Sequence, residues 1–190
     1  MNNNKFPEYK VIVVGDSSVG KTSIIMRFQH DSFSDHQPTV GASFITKKID
    51  APFGPVMLNL WDTAGQEKYR SLVPMYSRGA SIAIIVFDVS SSSSFDNLKR
   101  WITEVRQDAP ENCKIVIAGN KEDMEFAIEK EEILSWATEN GHKVIFVSAL
   151  TGSGIKELFQ YVGSQIPEST TRPTVVNTDP NQENRGNCSC

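Results

Sequence analysis

The sequence predicts an α/β fold with a mostly parallel six-stranded sheet and helices on both of its faces. Short apolar runs, most of them rich in β-branched residues, alternate with amphipathic stretches over residues 8–166. Apolar runs of this length are typical of strands that are buried on both faces, and their alternation with helices indicates a parallel sheet. In such sheets ligands bind at the carboxyl ends of the strands, so we expect the functional residues in the loops that follow them.

Six strands and five helices are predicted from this pattern. Strands buried on both faces are expected at residues 11–14, 56–61, 82–87, 114–118 and 143–147, and a more polar strand is expected at residues 43–50. Residues 50–55 contain the Asp, Pro and Gly typical of a hairpin loop, so the strands on either side should form the one antiparallel pair. Apolar residues at helical spacing predict helices at residues 23–30, 67–78, 94–107, 129–139 and 155–166.

A single domain with a tail accounts for the whole chain. The 190 residues are enough for one buried core, which we expect in residues 8–166, after a flexible N-terminus at residues 1–7. Over residues 167–190, Ser, Thr, Pro, Asn and Asp replace the periodic pattern, which predicts a disordered tail.

Charge and cysteine content exclude several classes of protein. The net charge of −4 and the lack of a Lys/Arg run argue against a nucleic-acid-binding surface. No apolar run reaches transmembrane length and the N-terminus lacks the pattern of a signal peptide, so a cytosolic chain is expected unless it is modified. The three cysteines do not form a disulfide framework, because two of them stand at the end of the chain, and Cys113 is expected in or near the core.

Residues 15–22, Gly-Asp-Ser-Ser-Val-Gly-Lys-Thr, stand between the first predicted strand and the first predicted helix, as in a phosphate-binding loop. Gly15 and Gly20 let backbone N–H groups turn toward a phosphate chain, since no Cβ blocks the approach. Lys21 is expected to reach the β- and γ-phosphates, and the Thr22 hydroxyl to bind Mg²⁺. The expected nucleotide contacts here are Ser17, Ser18, Val19, Gly20, Lys21, Thr22 and Ser23. A glycine-rich hairpin turn is the alternative.

Four further residues are candidates for binding the metal and sensing a third phosphate. Asp62, at the end of a predicted strand, is expected to hold the water shell of Mg²⁺. Gly65 can bring its N–H close to a γ-phosphate, and Gln66 has the donor and acceptor needed to orient an attacking water, which makes it the candidate catalytic residue. Thr39, between the first helix and the hairpin, is expected to bind the metal when a γ-phosphate is present.

The loops after the fifth and sixth predicted strands are candidates for binding a base. A carboxylate that accepts from a ring N–H and an exocyclic amine selects guanine over adenine, and Asp123 is placed for this role beside Asn120 and Lys121. A solvated polar turn is the alternative. The segment Ser148-Ala149-Leu150 is expected to complete the base pocket.

In order and strand position, these motifs resemble those of Ras-like small GTPases over about residues 8–166. Within that superfamily the chain resembles a Rab, through Phe44 after Gly-Ala-Ser at 41–43, Trp-Asp-Thr-Ala-Gly-Gln-Glu-Lys-Tyr at 61–69, and Tyr76 before Arg-Gly-Ala at 78–80. The segments Gly-Ala-Ser-Phe at 41–44 and Leu-Val-Pro-Met-Tyr at 72–76 resemble the endosomal branch of the Rabs. The resemblance implies an aromatic surface read by effectors at Phe44, Trp61 and Tyr76, and a contact between Phe33 and the guanine ring.

The chain ends in Cys188-Ser189-Cys190, which resembles the doubly geranylgeranylated end of a Rab. An incidental thiol pair or a stray pair of metal ligands is the alternative. The sequence also departs from the family pattern in three places. The interval from Phe33 to Thr39 is one residue short, Leu150 replaces a usual lysine, and Ser77 stands where a second tyrosine is common.

The function implied is a monomeric, GTP-binding switch of vesicle trafficking that hydrolyses GTP slowly and uses Mg²⁺. The expected partners are an exchange factor, a GTPase-activating protein, a GDP dissociation inhibitor, an escort protein and effectors, with no nucleic acid. The expected location is the cytoplasmic face of intracellular membranes, endosomes in particular, with a cytosolic pool. A nucleotide-locked scaffold and an adenine-nucleotide kinase or ATPase are the competing hypotheses.

Overall fold

A computed structural model gives the structure of the chain, which is described here for residues 6–32, 42–65 and 71–167. In these ranges one sheet contains six strands in the order β2-β3-β1-β4-β5-β6. The strands are β1 (Glu8–Val14), β2 (Ala42–Ala51), β3 (Gly54–Thr63), β4 (Ile82–Asp88), β5 (Lys114–Asn120) and β6 (Lys143–Phe146). All neighbouring pairs are parallel except β2 and β3, which confirms the predicted mostly parallel sheet with one antiparallel pair.

The described helices are α1 (Lys21–His30), α2 (Val73–Ser77), α3 (Ser92–Asp96), α4 (Leu98–Asp108), α5 (Lys130–Glu139) and α6 (Ile155–Ser164). The single helix predicted at residues 94–107 is instead the pair α3 and α4, and it starts earlier, because the Ser91 side chain caps α3 by accepting from the Ser94 N–H. Of the helix predicted at residues 67–78, residues 67–70 lie outside the described part, and α2 starts beside Pro74. None of the described helices is long and apolar enough to cross a membrane.

The core consists of two apolar clusters, one on each face of the sheet. Alternate residues of β1 point to opposite faces, so Val11 and Val13 pack in the cluster that contains residues of α1 and α6. Ile12 and Val14 pack in the cluster that contains residues of α2, α4 and α5. Helices therefore cover both faces, as predicted, and the carboxyl ends of the parallel strands share one edge.

Candidate functional site

The loop at residues 15–20 connects β1 to α1 at this edge of the sheet. Gly15 (φ 146°) and Gly20 (φ 91°) both adopt backbone conformations that favour glycine. A Cβ on Gly15 would also clash with the carbonyl oxygen of Val86, and one on Gly20 with the side-chain amide of Asn120. No side chain caps the first turn of α1, so its backbone N–H groups are available to an anion.

Lys21, the first residue of α1, places its ammonium group inside this loop. Its Nζ donates to the carbonyl oxygens of Gly15 (2.9 Å) and Asp16 (2.5 Å), and only 6% of the residue is exposed. Burial lowers the pKa of Lys21 to about 8, although the carboxylates of Asp62 and Asp16 act in the opposite direction. The site therefore contains a desolvated cation, for which a phosphate is a fitting partner.

Thr22 and Asp62 supply hard oxygen groups next to the lysine. Asp62 lies near the end of β3, is buried, and accepts a hydrogen bond through Oδ2 from the Thr22 hydroxyl (2.7 Å). The backbone of Gly65 lies against the phosphate loop, since a Cβ there would clash with both the Asp16 carbonyl oxygen and the Lys21 ammonium group. A hydroxyl and a carboxylate beside a phosphate loop fit Mg²⁺, which binds few protein ligands and keeps several waters.

A cavity of about 220 Å³ opens beside the phosphate loop. It is lined by Ser18, Gly20, Ser23, Asn120, Lys121, Asp123, Met124, Ala149 and Leu150. The structure thus brings Ser18, Gly20 and Ser23 of the predicted phosphate loop together with Asn120, Lys121, Asp123, Ala149 and Leu150 of the predicted base pocket. Met124 was missed, and its place directly after Asp123 is the only signal that the sequence offered.

Asn120 and Ser148 hold the walls of this cavity together. The Asn120 amide donates to the carbonyl oxygen of Val19 (2.8 Å), and its Oδ1 accepts from the Ala149 N–H (3.1 Å). The Ser148 hydroxyl donates to Oδ1 of Asp123. Ser148 therefore acts behind the carboxylate and is not among the residues that line the cavity.

Asp88, which the sequence did not single out, pairs with Lys121. The Lys121 ammonium lies 2.6 Å from Oδ2 of Asp88, at the end of β4. Burial raises the pKa of Asp88, but hydrogen bonds from Lys121 and Ser90 outweigh it and hold the pKa below its usual value. The carboxylate thereby fixes the lysine at the cavity wall, and its position opposite Asn120 in the β4–β5 register was not visible in the sequence.

The Asp16 carboxylate was likewise given no role by the sequence. It accepts from the Asn97 amide (2.7 Å), the Trp101 indole N–H (2.8 Å) and the Arg100 guanidinium (3.2 Å). These three donors stand at the start of α4, so the phosphate loop is tied to this helix.

The three aromatic residues predicted to form an effector surface lie together. Phe44 and Trp61 are opposite each other in the β2–β3 register, with ring centroids 5.2 Å apart, and the Tyr76 ring is 5.8 Å from that of Trp61. Phe44 is 53% exposed whereas Tyr76 is only 7% exposed. Phe44 therefore contributes more of the accessible surface than Tyr76 does.

Several predicted residues lie outside the described part of the chain. These are Phe33, Thr39, Gln66, Cys188 and Cys190. Their roles, and the individual nucleotide contacts assigned above, stay predictions.

Comparisons with known proteins identify the family. A sequence model described as "Ras family" matches residues 10–168. The chain is also 39% identical, over 176 residues, to the Ras-related protein Rab-5A of Dictyostelium discoideum, an overlap that covers 90% of this chain and 88% of that protein. Members of the family bind GTP and GDP with Mg²⁺, hydrolyse GTP and act with regulators and effectors, and the phosphate loop and its hydroxyl and carboxylate fit this chemistry. The chain belongs to the Rab branch of the Ras family of small GTPases, and it is a GTP-binding switch of endosomal vesicle trafficking.

Proposed function

We propose that one guanine nucleotide extends from the loop at residues 15–22 into the cavity beside Asp123, and that its third phosphate controls the binding of effectors. The observation that carries this proposal is the shared cavity. Ser18 and Gly20 of the phosphate loop line the same 220 Å³ as Asp123 and Leu150. A ligand with both phosphates and a base would reach all of these residues at once.

Each polar group has a proposed role toward the nucleotide. Lys21 and the N–H groups at the start of α1 neutralise the phosphates, while Thr22 and Asp62 hold Mg²⁺ with Thr39. When bound by these residues, Mg²⁺ would supply positive charge beside the phosphate oxygens. Gln66 orients the attacking water, and Gly65 directs its N–H to the third phosphate.

Intrinsic hydrolysis is proposed to be slow. Two arginines contact the loops of the site in the described ranges, and both are already engaged. Arg27 donates to the carbonyl oxygens of Ala149 and Leu150, and Arg100 donates to the Asp16 carboxylate. A GTPase-activating protein would then supply the missing positive charge, as an arginine does in related enzymes.

The switch is proposed to be read at the aromatic surface of Phe44, Trp61 and Tyr76. Binding of GTP and Mg²⁺ would order Thr39 and residues 62–76, and effectors would bind the ordered surface. An exchange factor would release GDP. A GDP dissociation inhibitor and an escort protein would carry the prenylated chain through a cytosolic pool.

Membrane attachment is proposed to depend on geranylgeranyl groups at Cys188 and Cys190. Each buried CH₂ contributes about 0.8 kcal/mol, so two chains anchor a protein stably where one does not. Residues 167–190 carry three acidic and two basic side chains, so attraction to anionic lipid adds little. The domain at residues 8–166 would then lie on the cytoplasmic face of endosomes.

Two measurements test the nucleotide proposal. Fluorescently labelled GDP bound to the chain should be displaced by GTP and not by ATP, since adenine lacks the donors that Asp123 accepts from. The Gln66→Leu variant should then bind GTP normally but prolong its lifetime. Displacement by ATP as effective as by GTP would exclude the role of Asp123, and an unchanged GTP lifetime in the variant would favour a scaffold that does not cycle.

A Cys188/Cys190 double serine variant tests the anchor separately in cells. It should be wholly released from membranes, while a Cys113→Ser variant, which changes a buried thiol, should stay attached. Persistent membrane attachment of the double variant would contradict the lipid proposal and leave the nucleotide proposal intact.

A further inference from the structure

The guanidinium group of Arg27 binds three backbone carbonyl groups from two separate loops. Its Nε donates to the carbonyl oxygen of Ala149 (2.8 Å), its Nη1 to that of Asp31 (3.1 Å) and its Nη2 to that of Leu150. The side chain thus connects the end of α1 with the loop after β6. Only an arginine offers enough donors in one rigid plane for three such contacts.

Two of these carbonyl groups belong to the wall of the nucleotide cavity. Ala149 and Leu150 line the cavity, whereas Arg27 does not. Among the described residues, no other group donates to the carbonyl oxygens of Ala149 and Leu150. Arg27 therefore touches the back of the wall and can act on a bound base only through this segment.

The backbone of Ala149 is held on both sides. Its N–H donates to Oδ1 of Asn120 (3.1 Å), whose amide in turn donates to Val19 of the phosphate loop (2.8 Å). Its carbonyl oxygen is held by Arg27. Loss of the arginine would leave the contact between Asn120 and the Ala149 N–H in place but release the Ala149 carbonyl oxygen, so the peptide group between Ala149 and Leu150 could rotate.

The turn that follows lies beside the arginine. A Cβ at Gly152 (φ 89°) would lie 3.8 to 4.0 Å from the Cδ, Nε and Nη1 atoms of Arg27, so the turn passes next to this side chain. The Gly152 N–H donates to the carbonyl oxygen of Ser148 (2.8 Å), which closes the turn. The loop is therefore adjacent to the arginine as well as bonded to it.

We propose that Arg27 is a positioning residue that sets how long the guanine nucleotide stays bound. It does so by fixing the peptide groups of Ala149 and Leu150 against the base. Leu150 has no amine or other polar side-chain group of its own, so the orientation of this wall depends on its backbone partners. The inference rests on the proposed position of the base beside Asp123.

The test measures dissociation of labelled GDP from the full chain in the presence of Mg²⁺ and an excess of unlabelled GDP. Labelled GDP should dissociate about ten-fold faster from Arg27→Gln than from the original chain, which corresponds to about 1.4 kcal/mol. From Arg27→Lys, labelled GDP should dissociate about three-fold faster than from the original chain, because an ammonium group cannot reach all three carbonyl groups in one plane. Arg106→Gln is the matched control, since Arg106 also donates to a backbone carbonyl oxygen, that of Cys113 (2.8 Å), which belongs to the apolar cluster on the opposite face from α1.

A general loss of structure and a positioning role predict different results. Positioning of the base should change dissociation while the rate of hydrolysis of GTP already bound stays within two-fold of the original chain. Unchanged dissociation in Arg27→Gln, an equal increase in Arg106→Gln, or an equal fall in the hydrolysis rate would each overturn the inference. If Arg27→Gln does not fold, Arg27→Lys decides, because it keeps the charge and most of the stem.

Failure of the underlying proposal gives a different result. If Asp123→Asn leaves GDP affinity unchanged, the position assigned to the base is wrong, whatever the GDP dissociation rates of the Arg27 variants are. If Asp123→Asn abolishes binding while Arg27→Gln has no effect, the base is correctly placed and the inference about Arg27 alone fails.

Discussion

The base side and the phosphate side of the site hold their polar groups in different ways. On the base side, Lys121 pairs with the carboxylate of Asp88 and Asn120 connects two loops. On the phosphate side, Lys21 donates to carbonyl oxygens of its own loop, and its burial lowers its pKa to about 8. Lys121 is paired directly with a carboxylate, whereas Lys21 is desolvated and its hydrogen bonds go to neutral carbonyl oxygens, with the carboxylates of Asp62 and Asp16 acting on it without such a contact.

This difference separates recognition of the base from recognition of the phosphates. The contacts of Asn120 and Lys121 shape the cavity and need not be broken by a nucleotide. The Lys21 contacts with carbonyl groups, and the contact of Thr22 with Asp62, occupy the groups that an anion and a metal ion require. We therefore expect the base side to be preformed and the phosphate side to rearrange on binding, which suits a protein that must distinguish two nucleotides with the same base.

The largest effect is expected at Asp123 on the base side. Asp123→Asn replaces one carboxylate oxygen with a donor and removes the negative charge, so two proposed hydrogen bonds to a charged group, each worth about 1.5–3 kcal/mol, are lost. The affinity for GDP should fall by about 10²- to 10⁴-fold, as measured by displacement of labelled nucleotide. Xanthine nucleotides, which carry a carbonyl group in place of the exocyclic amine, should bind the variant better than GDP does.

Glu122→Gln is the matched control for this change. Glu122 is the neighbouring carboxylate, but it accepts from Lys130 (3.2 Å) and Ser153 (3.3 Å) and does not line the cavity. It should bind GDP within two-fold of the original chain. An equal loss in both variants would mean that the local charge, and not the base contact, sets affinity.

An intermediate effect is expected at Lys21, in the protein stripped of nucleotide. The pKa of Lys21 is about 8 in the folded chain, against an ordinary value of 10.5, so the unfolded chain binds more protons between these pH values. The free energy of unfolding should therefore rise between pH 8 and pH 10.5, by roughly 3 kcal/mol if no other group interferes. Lys21→Met should lack this rise, as measured by urea unfolding at several pH values.

The comparison with Lys21→Met isolates the contribution of one ammonium group. Lys143→Met, which removes an exposed lysine, controls for the loss of one positive charge. If the free energy of unfolding depends on pH in the same way in the original chain and in Lys21→Met, then burial does not destabilise the charged lysine. The charge on the phosphate side would then be as well stabilised by its surroundings as the charge on the base side.

Local sequence patterns predicted the sheet and the motifs, but not the residues that support them. The apolar run at residues 11–14 and the glycine spacing at 15–20 are local, so strand, loop and helix could be placed from them. Arg27 and Ala149 are 122 residues apart, and Asp16 and Trp101 are 85 apart. Such contacts depend on the packing of helices and loops around a completed sheet, and a single sequence carries no signal of them.

The apolar pattern of the sequence also did not predict where a helix is interrupted. The apolar spacing over residues 94–107 suits one helix, but Ser91 starts α3 early and Asn97, between α3 and α4, extends its amide to Asp16. A polar residue that makes a distant tertiary contact does not disturb a hydrophobic pattern. The same argument explains why Asp88, at the end of an apolar strand, was read only as the boundary of that strand.

The smallest effect is expected at Ser148, which tests how completely the base side is preformed. Its hydroxyl donates to Asp123 and accepts from the Thr151 N–H (3.0 Å), but both partners are exposed enough for water to replace it. Ser148→Ala should therefore weaken the binding free energy of GDP by about 1 kcal/mol, which is about five-fold in affinity measured by displacement. Ser153→Ala, which removes an exposed hydroxyl bonded to Glu122, should change affinity by less than two-fold. A loss in Ser148→Ala as large as in Asp123→Asn would show that the carboxylate depends on this one hydroxyl for its orientation, and the base side would then be no more preformed than the phosphate side.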